Sequence, residues 1–156
     1  MERLLKEGAD PEVKGGTPAL YLAAAGGHLD ALKLLRRHGA NLEATEPMFG
    51  QTALMAAAAN GEADCAEALL EWGADKDAAA NRGSTALHYA AINGQLECAR
   101  LLVRARADRA KKNTHGKAAL DYARESGHAE VAALLEQADI KLEYSRVCAL
   151  RPTGKS

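Results

Sequence analysis

Aromatic residues are scarce in this chain: one Trp, one Phe and four Tyr make up 4% of its 156 residues. So few rings exclude a large aromatic interior. Alanine and leucine must supply the core, and residues that small suit thin helices in close contact. Long apolar runs are missing too. No stretch approaches the roughly 18 apolar residues of a membrane span, so no membrane association is expected. The N-terminal Met1-Glu2-Arg3-Leu4-Leu5-Lys6-Glu7 has no uninterrupted apolar segment of the kind a secretory signal needs. Three cysteines, an odd number, make no disulfide framework. Together these absences imply a reducing setting, cytoplasmic or nuclear. At 47% hydrophobic, the chain is nevertheless too apolar to be disordered, and it is long enough for one ordinary domain.

The net charge of −1 conceals an asymmetry. Residues 1–78 carry seven Lys/Arg against 13 Asp/Glu, and residues 79–156 carry 13 against eight, giving −6 and +5. In an elongated molecule this makes a dipole along the long axis that could orient a partner during encounter.

What the chain does contain is a motif that returns four times. The copies are Leu20-Tyr21-Leu22-Ala23-Ala24-Ala25-Gly26-Gly27-His28, Leu54-Met55-Ala56-Ala57-Ala58-Ala59-Asn60-Gly61-Glu62, Leu87-His88-Tyr89-Ala90-Ala91-Ile92-Asn93-Gly94-Gln95 and Leu120-Asp121-Tyr122-Ala123-Arg124-Glu125-Ser126-Gly127-His128. From Leu20 to Leu54, Leu87 and Leu120 the anchors recur with a period of about 33 residues. In each copy a short Ala-rich helix ends at a glycine (Gly27, Gly61, Gly94, Gly127), a residue that closes helices in the left-handed conformation. A second helix follows, with Leu29, Leu32 and Leu35, or Leu96, Ala99 and Leu102, at helical spacing. It stops at Gly39, Gly73, Arg106 and Ala138, and a polar loop leads to Gly50, Gly83 and Gly116. Thr52 and Thr85 then stand where a hydroxyl caps the next helix.

These residues resemble the ankyrin repeat, with its 33-residue period and T-P-L-H-x-A signature, over roughly residues 4–139. The resemblance implies an all-α solenoid of stacked antiparallel helix pairs with projecting β-hairpin-like loops. The expected repeats span 15–46, 47–79, 80–112 and 113–139, with a partial repeat or cap over 1–14 and an extension or tail over 140–156. Three departures stand out. Thr17-Pro18 lies one residue upstream of its slot. Only His88 fills the signature histidine position, where Tyr21, Met55 and Asp121 stand in the other copies. The segment from Gly39 to Gly50 is one residue longer than its equivalents, Gly73 to Gly83 and Arg106 to Gly116, and the extra residue lies within Glu46-Pro47-Met48-Phe49.

Catalytic chemistry finds no foothold. The terminal Ala149-Leu150-Arg151-Pro152-Thr153-Gly154-Lys155-Ser156 imitates a phosphate loop, but no helix follows whose N-terminus would hold the phosphates. Cys65 and Cys98 stand one repeat apart, in the slot of Ala31 and Val131, which reads as a packed helix face. No Cys-x-x-Cys or paired-His spacing suggests a metal, and Cys148 reads as an exposed thiol. With no Ser/His/Asp or Cys/His grouping, the expectation is a non-enzyme without cofactor or metal.

Binding is the expected function. The resemblance implies ligands across the hairpin tips and the adjacent ends of the first helices. Those positions are Met48, Phe49 and Gln51, then Asn81, Arg82 and Ser84, then Thr114, His115 and Lys117, with Ile92 and Asn93 among the helix ends. Tyr89 and Tyr122 share a slot and either form an aromatic patch or fill space between helices; Trp72 is a hot-spot residue or a packing one. Phe49, the sole phenylalanine, is the first choice for an apolar anchor, the alternative being that it folds back on its own loop. Arg100, Arg104, Arg106, Arg109, Lys111, Lys112 and Lys117 form a basic cluster offset by Asp108, either suited to an acidic peptide or simply a solvated face. Nucleic acid is the weaker choice because stacking aromatics are absent nearby. The expected protein is therefore a monomeric protein-binding module, a scaffold or adaptor. The alternatives are a regulator of a specific enzyme, such as a kinase inhibitor or a proteasome-assembly chaperone, and a piece of a larger ankyrin-bearing protein, which the half-repeat at the start favours.

Overall fold

The computed structural model describes residues 16–137. The partial repeat expected over 1–14, the extension over 140–156 with Cys148, and the phosphate-loop imitation lie outside the described residues. Seven helices follow one another: α1 (Ala19–Ala25), α2 (Leu29–Arg37), α3 (Ala53–Asn60), α4 (Ala63–Glu71), α5 (Ala86–Ile92), α6 (Leu96–Arg104) and α7 (Ala119–Glu125). A helical run over 129–137, here α8, completes the fourth pair. No strand occurs among the described residues.

The helices form two rows. The inner row, α1, α3, α5 and α7, packs neighbour against neighbour, and the outer row, α2, α4 and α6, lies behind it. Alanine makes the inner row possible. Ala24, Ala57, Ala58, Ala90, Ala91 and Ala123 have no accessible surface, so the backbones of adjacent helices approach within the reach of a methyl group. The outer helices contribute the larger apolar side chains: Leu32, Leu35, Leu69, Leu102 and Leu135 are each at most 1% exposed. Cys65 and Cys98 lie among them, both buried as small hydrophobes, and burial pushes the Cys98 thiol up to about 11. Trp72 also packs against this core.

Helix ends follow from local chemistry. Gly61 and Gly94 take φ of 76° and 67°, and close approach adds a second reason for glycine there. A Cβ on Gly61 would collide with the Gln95 side chain, and one on Gly94 with His128. Those side chains tie each helix pair to the one before: Gln95 Nε2 donates to the Ala59 carbonyl at 3.3 Å, and His128 Nε2 meets the Ile92 carbonyl at 3.0 Å. At the inner-helix N-termini, Thr52 Oγ1 accepts from Met55 N–H at 3.4 Å. The displaced Thr17-Pro18 has a visible result, since Pro18 is the N-cap of α1 and supplies no side-chain bond. Arg106 departs from its equivalents Gly39 and Gly73; at φ 62° it is the one non-glycine with positive φ among the described residues.

Candidate functional site

The hairpins are built by hydrogen bonds whose spacing exposes the inserted residue. In the second and third, Ala80 N–H donates to Ser84 O at 2.9 Å and Asn113 N–H to Lys117 O at 3.0 Å. In the first, the matching bond runs from Glu46 N–H to Gln51 O at 3.0 Å, one residue wider, and Gly50 N–H reaches back to Glu46 O at 3.1 Å. The extra residue therefore lies in the turn, and it pushes Met48 and Phe49 outward to 72% and 54% exposure.

Glu46 organises this tip. Its carboxylate accepts the backbone N–H groups of Phe49 at 2.7 Å, Met48 at 2.8 Å and Gln51 at 3.2 Å, while the residue itself is buried. Burial alone would raise its pKa, but the accepted backbone bonds outweigh burial and hold the carboxyl below its ordinary value. Asn113 occupies the corresponding position of the third hairpin. Its Oδ1 accepts from His115 N–H at 3.0 Å and Lys117 N–H at 3.3 Å, and its Nδ2 donates to Ser84 Oγ at 3.3 Å and Tyr122 OH at 2.8 Å. The sequence alone singles out neither Glu46 nor Asn113 for this role, although both fall where a side chain could fold back on its own turn, as Asx-type residues do.

Neighbouring tips are joined through the backbone. Asn81 N–H donates to Phe49 O at 2.9 Å, and Thr114 N–H to Arg82 O at 3.0 Å. Asn81, Arg82, Thr114 and His115 keep exposed side chains. Ser84 does not. At 7% exposure and bonded to Asn113, it serves the contact between hairpins, which corrects its assignment to the outer tip. Gln51 is half-buried, and its Oε1 accepts from Tyr21 OH at 2.9 Å, clasping α1 to the foot of the first hairpin.

His88 makes the equivalent clasp further along. Its Nδ1 accepts Thr85 N–H at 3.1 Å, so the proton resides on Nε2, which donates to the Lys117 carbonyl at 3.0 Å. The Thr85 hydroxyl lies 2.9 Å from the same Nδ1, and the Tyr122 ring meets His88 edge-on, with centroids 6.1 Å apart. Tyr122 thus pairs with His88, and Tyr89 packs half-buried against the core. Burial holds the His88 imidazole below its usual pKa despite the Lys117 carbonyl, which favours the charged form.

On the inner row, Asn93 is exposed and Ile92 half-buried. Leu22, in the slot of Tyr89, is 57% exposed, and sequence reasoning misses it; slot equivalence was the available signal. The basic cluster divides. Arg109 donates to the Leu135 carbonyl at 3.3 Å, Lys111 to the Asp77 carbonyl at 2.7 Å, and Lys117 pairs with Glu125 at 2.7 Å. Arg104, Arg106 and Lys112 remain exposed, and Arg100 stands 3.7 Å from Glu97. Among the described residues no group of His, Cys, Asp or Glu could hold a metal ion, and no helix is long and apolar enough to cross a membrane.

The two rows of helices, the glycine-closed inner helices and the hydrogen-bonded hairpins agree with a comparison against known families. The family described as "Ankyrin repeats (3 copies)" matches residues 1–80 and 75–144. No curated protein matches the chain. Ankyrin repeats are generally protein–protein interaction modules. The match spans well over half of the sequence, and the chain belongs to the ankyrin-repeat family.

Proposed function

We propose that this chain is a non-catalytic protein-binding module that receives a partner protein across its hairpin tips and the adjacent ends of its inner helices. One observation carries the proposal. The exposed large hydrophobic residues among those described are Leu22, Met48 and Phe49, and the Tyr21–Gln51 bond ties the helix of the first to the hairpin of the other two. Exposed apolar side chains on one braced edge are typical of binding anchors. The carboxylate beneath this tip supports a non-catalytic role, since Glu46 is committed to backbone N–H groups of the fold.

Affinity capture with the wild-type chain, Phe49→Ala and an outer-helix control, Lys33→Ala, tests the assignment. Partner proteins retained by wild type and control should be lost, or recovered at least tenfold less, with Phe49→Ala. Equal recovery by all three would remove Phe49 from the interface.

A further inference from the structure

The row of tips changes character along the stack. Its first tip is apolar, and the Glu46 carboxylate beneath it faces inward to three backbone N–H groups, so it offers no outward anion. The next tip presents Arg82, exposed and without an anionic partner among the described residues. The third presents His115, an exposed imidazole. Beside them the inner helices α1 and α3 contain no charged residue, and α5 contains only the buried His88. Further on, the carboxylates of α7 are occupied: Asp121 accepts Ala118 N–H at 2.9 Å, and Glu125 pairs with Lys117. The row of tips therefore runs from apolar to basic, and residues 47–51, 81–84 and 114–117 include no carboxylate.

The backbone ties set its length. Phe49 is joined to Asn81, and Arg82 to Thr114, by backbone hydrogen bonds, and Thr114 Oγ1 also donates to the Arg82 carbonyl at 3.1 Å. Backbones so joined stand about as far apart as paired strands do, about 4.8 Å, and adjacent residues are about 3.8 Å apart. Phe49 is then within about 17 Å of His115, the reach of about five extended residues.

Building on the proposed binding role, we infer that the tips recognise a short extended acidic segment of the partner protein. In that segment an apolar side chain, seated at Met48 and Phe49, lies within about five residues of the carboxylates that meet Arg82 and His115. Charge complementarity selects this occupant. A basic segment would meet Arg82 with no carboxylate to receive it, and a nucleic acid would find its stacking groups only at the apolar end.

The test pans a phage-displayed random heptapeptide library on the full chain, on Arg82→Glu and on the double variant Met48→Ser/Phe49→Ser, with circular dichroism confirming that each is folded. The wild type should enrich peptides in which an aromatic or large aliphatic residue accompanies Asp or Glu. Arg82→Glu should lose the acidic preference and bind a selected acidic peptide about fivefold more weakly, and the double variant should lose the apolar preference. Selection without an acidic bias, an unchanged bias with Arg82→Glu, or tighter binding of an oligo(dT) probe than of any selected peptide would overturn the inference. Loss of captured partners with Phe49→Ala, alongside peptides with no acidic bias, would leave the binding role standing and remove only this occupant.

Discussion

Glu46 turns its charge inward, and the apolar tip depends on it. Replacing it with alanine leaves three N–H groups without their acceptor and should cost about 1–2 kcal/mol, measured as a lower urea midpoint; an unchanged midpoint would mean water replaces the carboxylate fully. The protonation chemistry divides into two windows. His88 has a folded pKa below its ordinary 6.5, so its contribution is present above about pH 6.5 and is lost as pH falls through the lowered folded value. Glu46 has a folded pKa below its ordinary 4.5, so its contribution is present above about pH 4.5 and is lost at still lower pH. Thermal melts across pH should show both steps, with Glu46→Gln abolishing the lower one and sparing the upper. Arg106 holds φ 62° where Gly39 and Gly73 take 80° and 89°. Left-handed backbone costs a side-chain-bearing residue roughly 1–2 kcal/mol, part of which glycine's greater unfolded-state freedom offsets. Arg106→Gly should therefore stabilise the chain by about 0.5–1 kcal/mol, and a lowered denaturation midpoint would show that the arginine side chain has a compensating contact.

At the scale of the helix, the inner row shows four solutions to one capping problem. Thr52 accepts the Met55 N–H; His88 substitutes for the usual Glu or Gln in a capping box with Thr85; Pro18 offers no side-chain bond; and Ala118 has only the Asp121 half of a box. Ala118 has extended backbone, with φ −87° and ψ 169°, the geometry an N-cap threonine needs. Ala118→Thr should complete the box with Asp121 and stabilise α7 by about 1 kcal/mol, seen as slower amide exchange in α7; no change in exchange there would count against the cap. Thr52 and Thr85 were legible as caps in the sequence because a hydroxyl before an Ala-rich run is a local signal. The capping roles of His88 and Asp121 were not, since each depends on where a side chain at the third position turns.

Across the whole molecule, the outer helices carry alternating charge. Lys33, Glu67 and Arg100 share one slot, Arg37, Glu71 and Arg104 another, and all six are exposed. Neighbouring helices pack about 8–10 Å apart, within the Debye length of roughly 10 Å at 0.1 M salt. Glu67→Lys sets three cations in sequence and should lower stability by a few tenths of a kcal/mol at low salt. That difference should vanish near 1 M salt, and a salt-independent loss would point to packing instead. The last described inner helix obeys a related rule. The slot of Ala24, Ala58 and Ala91, buried between inner helices, is filled in the fourth copy by exposed Arg124, which pairs with Glu136 at 2.6 Å. Among the described residues no further inner helix packs on that face, so no methyl-sized neighbour is required there.

The regular repeat period, the alanine runs and the closing glycines by themselves determined the helix pairs, because each signal is local and recurs in register. The inserted residue of the first hairpin could also be read that way, whereas the outward direction of Phe49 could not. Only the tertiary structure decided which tip residues face outward. Ser84 and Gln51 stand at tip positions in sequence yet turn into the stack, and Leu22 emerges from a run that reads as core. The basic cluster was divided in the same manner, with Arg109, Lys111 and Lys117 drawn to partners elsewhere in the chain at Leu135, Asp77 and Glu125. Backbone periodicity is set by near neighbours, whereas side-chain direction at a loop depends on acceptors supplied by the next repeat.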